Sequence, residues 1–169
     1  TDGWGQSVQQ TVDSGYIVTG SSGGDVYLLK TDLNGLEQWS QIFGGVNDDE
    51  GYSVQQTIDG GYIIIGKTDF TGDGDYDVYL IKTNMNGIEQ WNQTFSLSGW
   101  DVGNSGQQTN DGGFIITGYT HDLPLIGPEL FLIKTDNLGN QQWYQSYGTG
   151  EGNSVQQTND GGYIICGEV

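Results

Sequence analysis

Residues 51–95, GYSVQQTIDGGYIIIGKTDFTGDGDYDVYLIKTNMNGIEQWNQTF, are one copy of a pattern that recurs along the whole 169-residue chain. The first half begins again near Gly5, Asn104 and Asn153, and the second half begins again at Asp25 and Glu129. Repeats of this length are typical of solenoids and propellers, in which each unit buries its apolar faces against neighbouring units. The sequence therefore indicates architecture more directly than activity.

Each repeat predicts four short antiparallel strands, a to d, separated by tight turns. Asp59-Gly60 and Asn86-Gly87 are strong hairpin signals, because such turns need residues that accept positive φ. In the second repeat we expect strands at Ser53–Thr57, Tyr62–Gly66 and Val78–Thr83, and a fourth strand that carries Trp91.

Strands b and c are almost continuously apolar, as in Tyr62–Ile65 and Val78–Ile81. A sheet with one wet face would alternate apolar and polar residues, so these runs predict burial on both faces. We therefore expect an all-β chain of four-stranded β-propeller blades, each packed between two others. A stacked β-repeat array is the alternative. The expected units are residues 3–48, 49–100 and 101–149, with a half unit at 150–169.

The strand count gives about three and a half blades, whereas closed propellers have about four to eight. We expect further copies, or the rest of a longer chain, to complete the ring. The half unit ends in an apolar strand with nothing of its own to pair with, and such an edge is a template for another strand.

The composition limits the partners. Four lysines and no arginine stand against 22 acidic residues, which gives a formal charge of −18. This charge argues against nucleic acid and anionic membranes as ligands, because binding to either depends on lysine and arginine. No apolar run is long enough to predict a membrane span. The lone Cys166 aligns with Thr19, Ile65 and Thr117, and we expect a buried thiol.

The motifs D-G-G-Y-I-I-x-G, D-V-Y-L-I-K-T-D-x-N-G, Q-W and F-G-G resemble the repeats of secreted and cell-surface β-propeller proteins of archaea and bacteria, related broadly to PQQ-type propellers. Asp32–Trp39 followed by Phe43-Gly44-Gly45 is similar to the tryptophan-docking segment of PQQ-like blades. The resemblance covers essentially the whole chain. It implies an extracellular or cell-surface protein without assigned chemistry. A PQQ dehydrogenase would be expected to carry adjacent cysteines, and this chain has only Cys166.

Two residue types recur at intervals of 52 residues and define structural positions: the tryptophans Trp39, Trp91 and Trp143, and the lysines Lys30, Lys82 and Lys134. Equal spacing implies equal environments, so each tryptophan is expected to pack its ring against its own or the next blade. Each lysine is expected to form an internal ion pair, and a ring of ligand-binding ammonium groups is the alternative. The expected carboxylate partners are Glu37, Glu89, Asp49, Glu50 and Glu151.

The longest acidic loop, DFTGDGDYD, suggests a calcium site formed by Asp69, Asp73, Asp75 and Asp77. Calcium takes six to eight oxygen ligands, and alternating Asp and Gly offers carboxylates together with accessible carbonyls. The loop departs from the EF-hand pattern, and Asp77 aligns with Asp25 and Glu129. A solvated, turn-capping loop is therefore the alternative. Asn92-Gln93-Thr94 is a sequon for N-glycosylation in a secreted protein.

No catalytic constellation is legible. His121, which is expected in a loop, is the single histidine, and it has no cysteine or serine partner set. We expect a non-catalytic extracellular propeller that serves adhesion or binds a glycan or protein. A structural subunit that assembles through its half blade is the alternative, and a glycosidase or lyase is a more distant one. A patch formed by Phe70, Tyr76, Trp100 and Tyr119 on the loop face would favour binding.

Overall fold

A computed structural model describes residues 3–121 and 127–168, and these residues form 14 strands and no helix. The described residues accordingly contain no helix that could cross a membrane. The strands are β1 Gly3–Gln10, β2 Tyr16–Ser22, β3 Asp25–Thr31, β4 Glu37–Phe43, β5 Asp49–Gln56, β6 Tyr62–Thr68, β7 Asp77–Thr83, β8 Glu89–Phe95, β9 Trp100–Gln108, β10 Phe114–His121, β11 Glu129–Thr135, β12 Gln141–Thr149, β13 Glu151–Gln157 and β14 Tyr163–Glu168.

The strands form four antiparallel sheets, each following the order of the chain. Sheet one contains β1–β4, sheet two β5–β8, sheet three β9–β12, and sheet four only β13 and β14. The all-β prediction and the repeated strand order are confirmed. The predicted strands were too short at one end: β5 begins at Asp49, four residues before Ser53. A register shift between Gly51 and Ser53 interrupts the alternation there, which hid the extension from the sequence pattern.

Sheet two is buried on both faces. Tyr62 and Ile64 join a core cluster with residues of sheet one, whereas Ile63 and Ile65 join a second cluster with residues of sheet three. Because side chains alternate along a strand, a continuous apolar run supplies both clusters. A smaller cluster around Ile115 joins sheet three to sheet four.

The sheets are also joined by glutamine side chains of their first strands. The side-chain oxygen of Gln56 accepts a hydrogen bond from the backbone N–H of Val12 at 2.9 Å. Gln108 and Gln157 bind the equivalent turn of the preceding sheet in the same way, each at 2.9 Å. One glutamine in each of these first strands therefore binds a backbone N–H group in the exposed a–b turn of the preceding sheet.

The connections lie at two opposite ends. The turn end carries the tight a–b turns of all four sheets and the c–d turns of sheets one to three. The loop end carries the b–c and d–a connections, including residues 44–48, 69–76 and 96–99. Length variation is confined to the loop end, as expected for variable loops on a repeated scaffold.

The prediction of a buried Cys166 is wrong. The equivalent Thr19, Ile65 and Thr117 are buried, but the Cys166 thiol is exposed. Their strands pair with a strand on both edges, and the three residues lie against the first strand of the next sheet. β14 pairs only with β13 among the described residues. Burial at this repeat position depends on the neighbouring strands and sheet, and not on the local sequence.

Candidate functional site

The repeated lysines are structural ion-pair residues, but their partners differ from those predicted. Lys82 Nζ lies 2.9 Å from Asp59 Oδ2 and donates to the backbone oxygen of Thr83 at 2.8 Å. A third contact joins Nζ to Gln90 Oε1 at 3.1 Å. The same arrangement joins Lys30 to Asp13 and Lys134 to Asp111, each with an Nζ–Oδ2 distance of 2.9 Å.

The correct partner is thus the aspartate of the a–b turn, and the carboxylates proposed from the sequence are engaged elsewhere. Glu37 and Glu89 bind side chains on their own strands, and Glu50 pairs with the fourth lysine, Lys67, at 3.4 Å. The sequence did not indicate the aspartate as a partner, because an Asp-Gly turn accounts for an aspartate at this position without any lysine. The pairing of strands b and c brings each lysine over the turn.

The turn aspartates are held in the charged form. A hydrogen bond from the Thr11 hydroxyl and then contact with Lys30 lower the pKa of Asp13 to about 2. Thr109 and Lys134 lower the pKa of Asp111 to about 2 in the same order. For Asp160, the hydroxyl of Thr158 and the N–H of Gly162 lower the pKa, and no lysine contributes.

Each tryptophan packs against the following sheet. The ring centroids of Trp39 and Tyr62 are 5.8 Å apart, those of Trp91 and Phe114 5.7 Å, and those of Trp143 and Tyr163 5.9 Å. Trp39 and Trp91 also cover Gly87 and Gly139 in the c–d turn of the next sheet, where a Cβ would overlap the indole. The tryptophan is therefore a connector that points forward along the chain.

Sheet one has the equivalent aromatic ring and turn glycine, but no described tryptophan packs on them. Tyr16 is 37% exposed, whereas the equivalent Tyr62 is 2% exposed beneath Trp39. A Cβ on Gly35 would meet nothing within 4 Å, in contrast to Gly87 and Gly139. Trp39, Trp91 and Trp143 thus serve as structural connectors, and the two outer faces of the stack differ.

A cleft of about 540 Å³ opens at the loop end between sheets one and two. Phe70 stands beside it with 78% of its surface exposed. The cleft is lined by Tyr79, Asn47 and Asn92. The remaining lining residues are Gly44, Gly45, Val46, Asp49, Thr68, Asp69 and Thr94.

The cleft exists because two repeat positions carry small or polar residues. Gly45 and Asn92 align, at the 52-residue spacing, with Leu97 and Tyr144. Leu97 and Tyr144 pack against the core between sheets two and three, and so fill the corresponding space there. A Cβ on Gly45 would meet nothing within 4 Å. A difference between aligned repeats was the sequence signal that could have located this cleft.

Asp49 anchors one wall of the cleft. Its Oδ2 accepts from the backbone N–H of Gly45 at 2.9 Å, while its buried Oδ1 has no hydrogen-bond partner. Burial raises the pKa of Asp49. Hydrogen bonds from Thr68 and Gly45 oppose this increase, and the nearby carboxylates of Asp25 and Asp48 add a smaller increase. Burying a charged oxygen without a partner is costly.

The predicted aromatic patch divides into two parts. Tyr76 and Trp100 pack edge to face with centroids 5.6 Å apart, and Lys67 Nζ lies 4.1 Å from the centre of the Tyr76 ring. Phe70 belongs to the cleft instead. Tyr119 is half-buried within β10. His121 ends β10, in register with Trp100, so its predicted loop position is wrong.

The acidic loop is folded around its own carboxylates. Asp69 Oδ1 accepts from the N–H of Gly72 at 2.7 Å, and Asp73 Oδ1 accepts from Thr71 Oγ1 at 2.7 Å and from the N–H of Asp75 at 3.1 Å. Asp77 begins β7. Within residues 3–121 and 127–168, no three acidic, histidine or cysteine side chains are grouped as metal ligands. These contacts correspond to turn capping, and calcium binding by this loop remains a prediction from the sequence.

Asn92 of the sequon is exposed on β8, and its amide donates to Glu89 Oε1 at 2.7 Å. Because Asn92 also lines the cleft, a glycan attached there would stand at the cleft's opening. Glycosylation and ligand binding at this position would therefore compete for the same space.

Comparison with models of protein families and with curated proteins gives no match for this chain.

Proposed function

We propose that the chain is a non-catalytic, propeller-type repeat protein of the cell exterior that binds a neutral glycan in the cleft between sheets one and two. The observation that carries this proposal is the space left by Gly45 and Asn92, which their repeat equivalents Leu97 and Tyr144 fill. A scaffold that packs one junction and leaves the other open has room for a ligand at the open one.

The lining suits a sugar. Binding sites typically combine apolar and aromatic walls with a few polar groups that orient the ligand. The exposed ring of Phe70 offers an apolar surface for the C–H face of a sugar ring, and Asn47 and Asn92 offer amide groups to its hydroxyls. The Asn47 amide is oriented by a hydrogen bond of 2.9 Å from its Nδ2 to the backbone oxygen of Asp69.

The charge of the protein narrows the class of glycan. With a formal charge of −18, the surface repels sulfated and uronate-rich chains at long range. Asp49 and Asp69 line the cleft and add local negative charge. Neutral sugars are therefore the favoured ligands.

The propeller arrangement is part of this proposal. It is supported by the contacts between the first strands β1, β5, β9 and β13 of consecutive sheets, and by the glutamine hydrogen bonds between those sheets. Sheets that meet through their first strands are arranged as propeller blades are around a centre. The resemblance of the repeat to those of secreted propeller proteins supports the location outside the cell.

A glycan array, followed by calorimetric titration of the strongest neutral glycan, tests the function. The double variant Gly45→Leu, Asn92→Tyr copies the filled junction into the cleft, and we expect it to abolish binding while the melting temperature stays close to that of the wild type. Leu138→Ser, an exposed position at the turn end, is the matched control and should bind normally. Binding that survives the double variant, or an array without any neutral glycan bound, would refute the proposal.

A further inference from the structure

Sheet four contains half of an arrangement that is complete in the other three sheets. In sheets one to three, strand c lies along strand b, and its lysine reaches the aspartate of the a–b turn. Sheet four has the same turn, with Asp160 bound by Thr158 and Gly162 as Asp59 is bound by Thr57 and Gly61. Sheet four therefore presents a carboxylate in the position that binds a lysine in the other sheets, although no described lysine contacts it.

The last glycine of the a–b turn also has open space beside it in sheet four. A Cβ on Gly61 would overlap the backbone oxygen of Thr83 and the ammonium of Lys82, and Gly15 and Gly113 are constrained in the same way. Gly162 occupies the equivalent position without a positive φ, and only Thr158 and Asp160 of its own turn lie near it. Sheet four thus keeps the space that a lysine-threonine pair fills elsewhere.

The edge of β14 is open over the same length. Strands β2, β6 and β10 each pair with a strand on both sides, whereas β14 pairs with β13 alone among the described residues. Tyr163 and Ile165 are only half-buried, although the equivalent Tyr62 and Ile64 are 2% and 1% exposed. A strand added here gains backbone hydrogen bonds and buries apolar surface.

We propose that sheet four binds a lysine-bearing β-hairpin of this protein's own repeat type along the free edge of β14, with the lysine on Asp160 and the threonine carbonyl beside Gly162. The first strand of this hairpin ends in an apolar-Lys-Thr sequence, and the second carries Gln-Trp. This proposal is independent of glycan binding, which concerns sheets one and two.

The occupant is not a second copy of the structure formed by residues 3–121 and 127–168. Lys30, Lys82 and Lys134 each already bind an aspartate of their own sheet. A copy that donated one of these hairpins would open an identical vacancy in itself. The occupant is therefore a hairpin other than β3–β4, β7–β8 and β11–β12. In a chain with a charge of −18, a lysine-bearing segment is also the electrostatically complementary one.

The first experiment titrates the 169-residue protein with a fluorescently labelled peptide of the sequence of residues 25–43, the β3–β4 hairpin. We expect saturable one-to-one binding by anisotropy. Lys30→Met in the peptide, or Asp160→Asn in the protein, should weaken binding by at least about tenfold, because a hydrogen-bonded charge pair is lost. A scrambled peptide is the control for non-specific addition to the edge.

The register can be tested through Cys166. In sheet one Thr19 pairs with Leu28, and Cys166 is equivalent to Thr19, so Leu28 of the peptide should lie opposite Cys166. A peptide with Leu28→Cys, activated as a thiopyridyl disulfide, should exchange with the Cys166 thiolate and release thiopyridone. A peptide with Asn34→Cys, in the turn, should react far more slowly. Equal rates would refute the proposed register.

If the peptide is insoluble, the hairpin can be attached covalently to the protein as a second test. Residues 23–43 appended after Val169 restore the two-glycine connection of sheet one, and the melting temperature should rise relative to the same extension with Lys30→Met. Equal melting temperatures would overturn the proposal. So would peptide binding that is indifferent to Lys30 and Asp160, or concentration-dependent self-association in light scattering that the peptide does not inhibit.

Discussion

Sheets two and four contain the same first hairpin in different surroundings. Strands β5–β6 and β13–β14 share their register, including the shift after Gly51 and Gly152. The turn hydrogen bonds to Asp59 and Asp160 are also the same. Only sheet two has the c–d hairpin that provides a lysine and a tryptophan. The difference shows that the a–b hairpin sets local geometry, whereas the c–d hairpin provides burial and connection to the next sheet.

The tryptophans should show the largest effect of this difference. Trp91→Ala should lower the free energy of unfolding by about 3–5 kcal/mol, as truncation of a large packed aromatic does. Trp143→Ala should cost markedly less, because its partner Tyr163 lies in the half-covered sheet four. Urea denaturation of both variants measures the contrast. Equal losses would mean that sheet four is as firmly packed as sheet three.

The next largest difference in stability should be between variants of two turn aspartates, Asp59 and Asp160. Asp59→Asn leaves the buried Lys82 ammonium without its carboxylate and should cost about 1–3 kcal/mol. Asp160→Asn, whose carboxylate contacts no described lysine, should leave the free energy of unfolding close to that of the wild type. Denaturation at neutral pH makes the comparison, and a large loss from Asp160→Asn would show that the turn itself dominates.

The same pairs predict an acid dependence. Asp13 and Asp111 have pKa values lowered to about 2 from 3.8, so their stabilisation is complete above pH 4 and is lost as the pH falls towards 2. Asp13→Asn should therefore be less stable than the wild type at pH 6, and the two should converge near pH 2. A constant difference across this range would exclude the charge of Asp13 as its cause.

The contribution of Asp49 to stability should depend on pH in the opposite direction. Burial raises its pKa above 3.8, so its favourable contribution is present below that value and is lost as the pH rises through the folded-state pKa. Asp49→Asn should stabilise the protein by about 1 kcal/mol at pH 7 and have no such effect at pH 3. Asp101→Asn is the comparison, because burial raises the pKa of Asp101 as well, but both of its oxygens accept backbone N–H groups of residues 97 and 98. An amide nitrogen there would lose one of these hydrogen bonds, so this variant should not be more stable than the wild type. Stabilisation by both variants would contradict this explanation.

Calcium should produce the smallest change in stability. If the acidic loop binds the ion, millimolar calcium raises the melting temperature and Asp73→Asn with Asp75→Asn removes the increment. Because Asp69 and Asp73 already accept hydrogen bonds within the loop, we expect at most a slight rise. A calorimetric titration that detects saturable binding would reassign these carboxylates from turn capping to metal coordination.

The sequence predicted most of the fold because turn residues and apolar runs are local signals. It did not predict the partner of Lys82, because that contact depends on the register between strands b and c. It mispredicted Cys166, because burial requires strands and sheets that the half unit lacks. The repeat pattern did not predict the cleft, because the cleft depends on positions where the repeats differ: Gly45 and Asn92 stand in place of Leu97 and Tyr144.

The forward-pointing tryptophans give the stack a polarity. Each indole packs on an aromatic ring of the next sheet, and the first two also cover a glycine of its c–d turn, so the joint is heterologous. Pairing two sheet-one faces about a two-fold axis would place Tyr16 against Tyr16, with no indole between them. The only continuation that reuses this joint at the sheet-one face is head-to-tail addition of a tryptophan-bearing sheet. Such growth either closes into a ring or propagates in one direction.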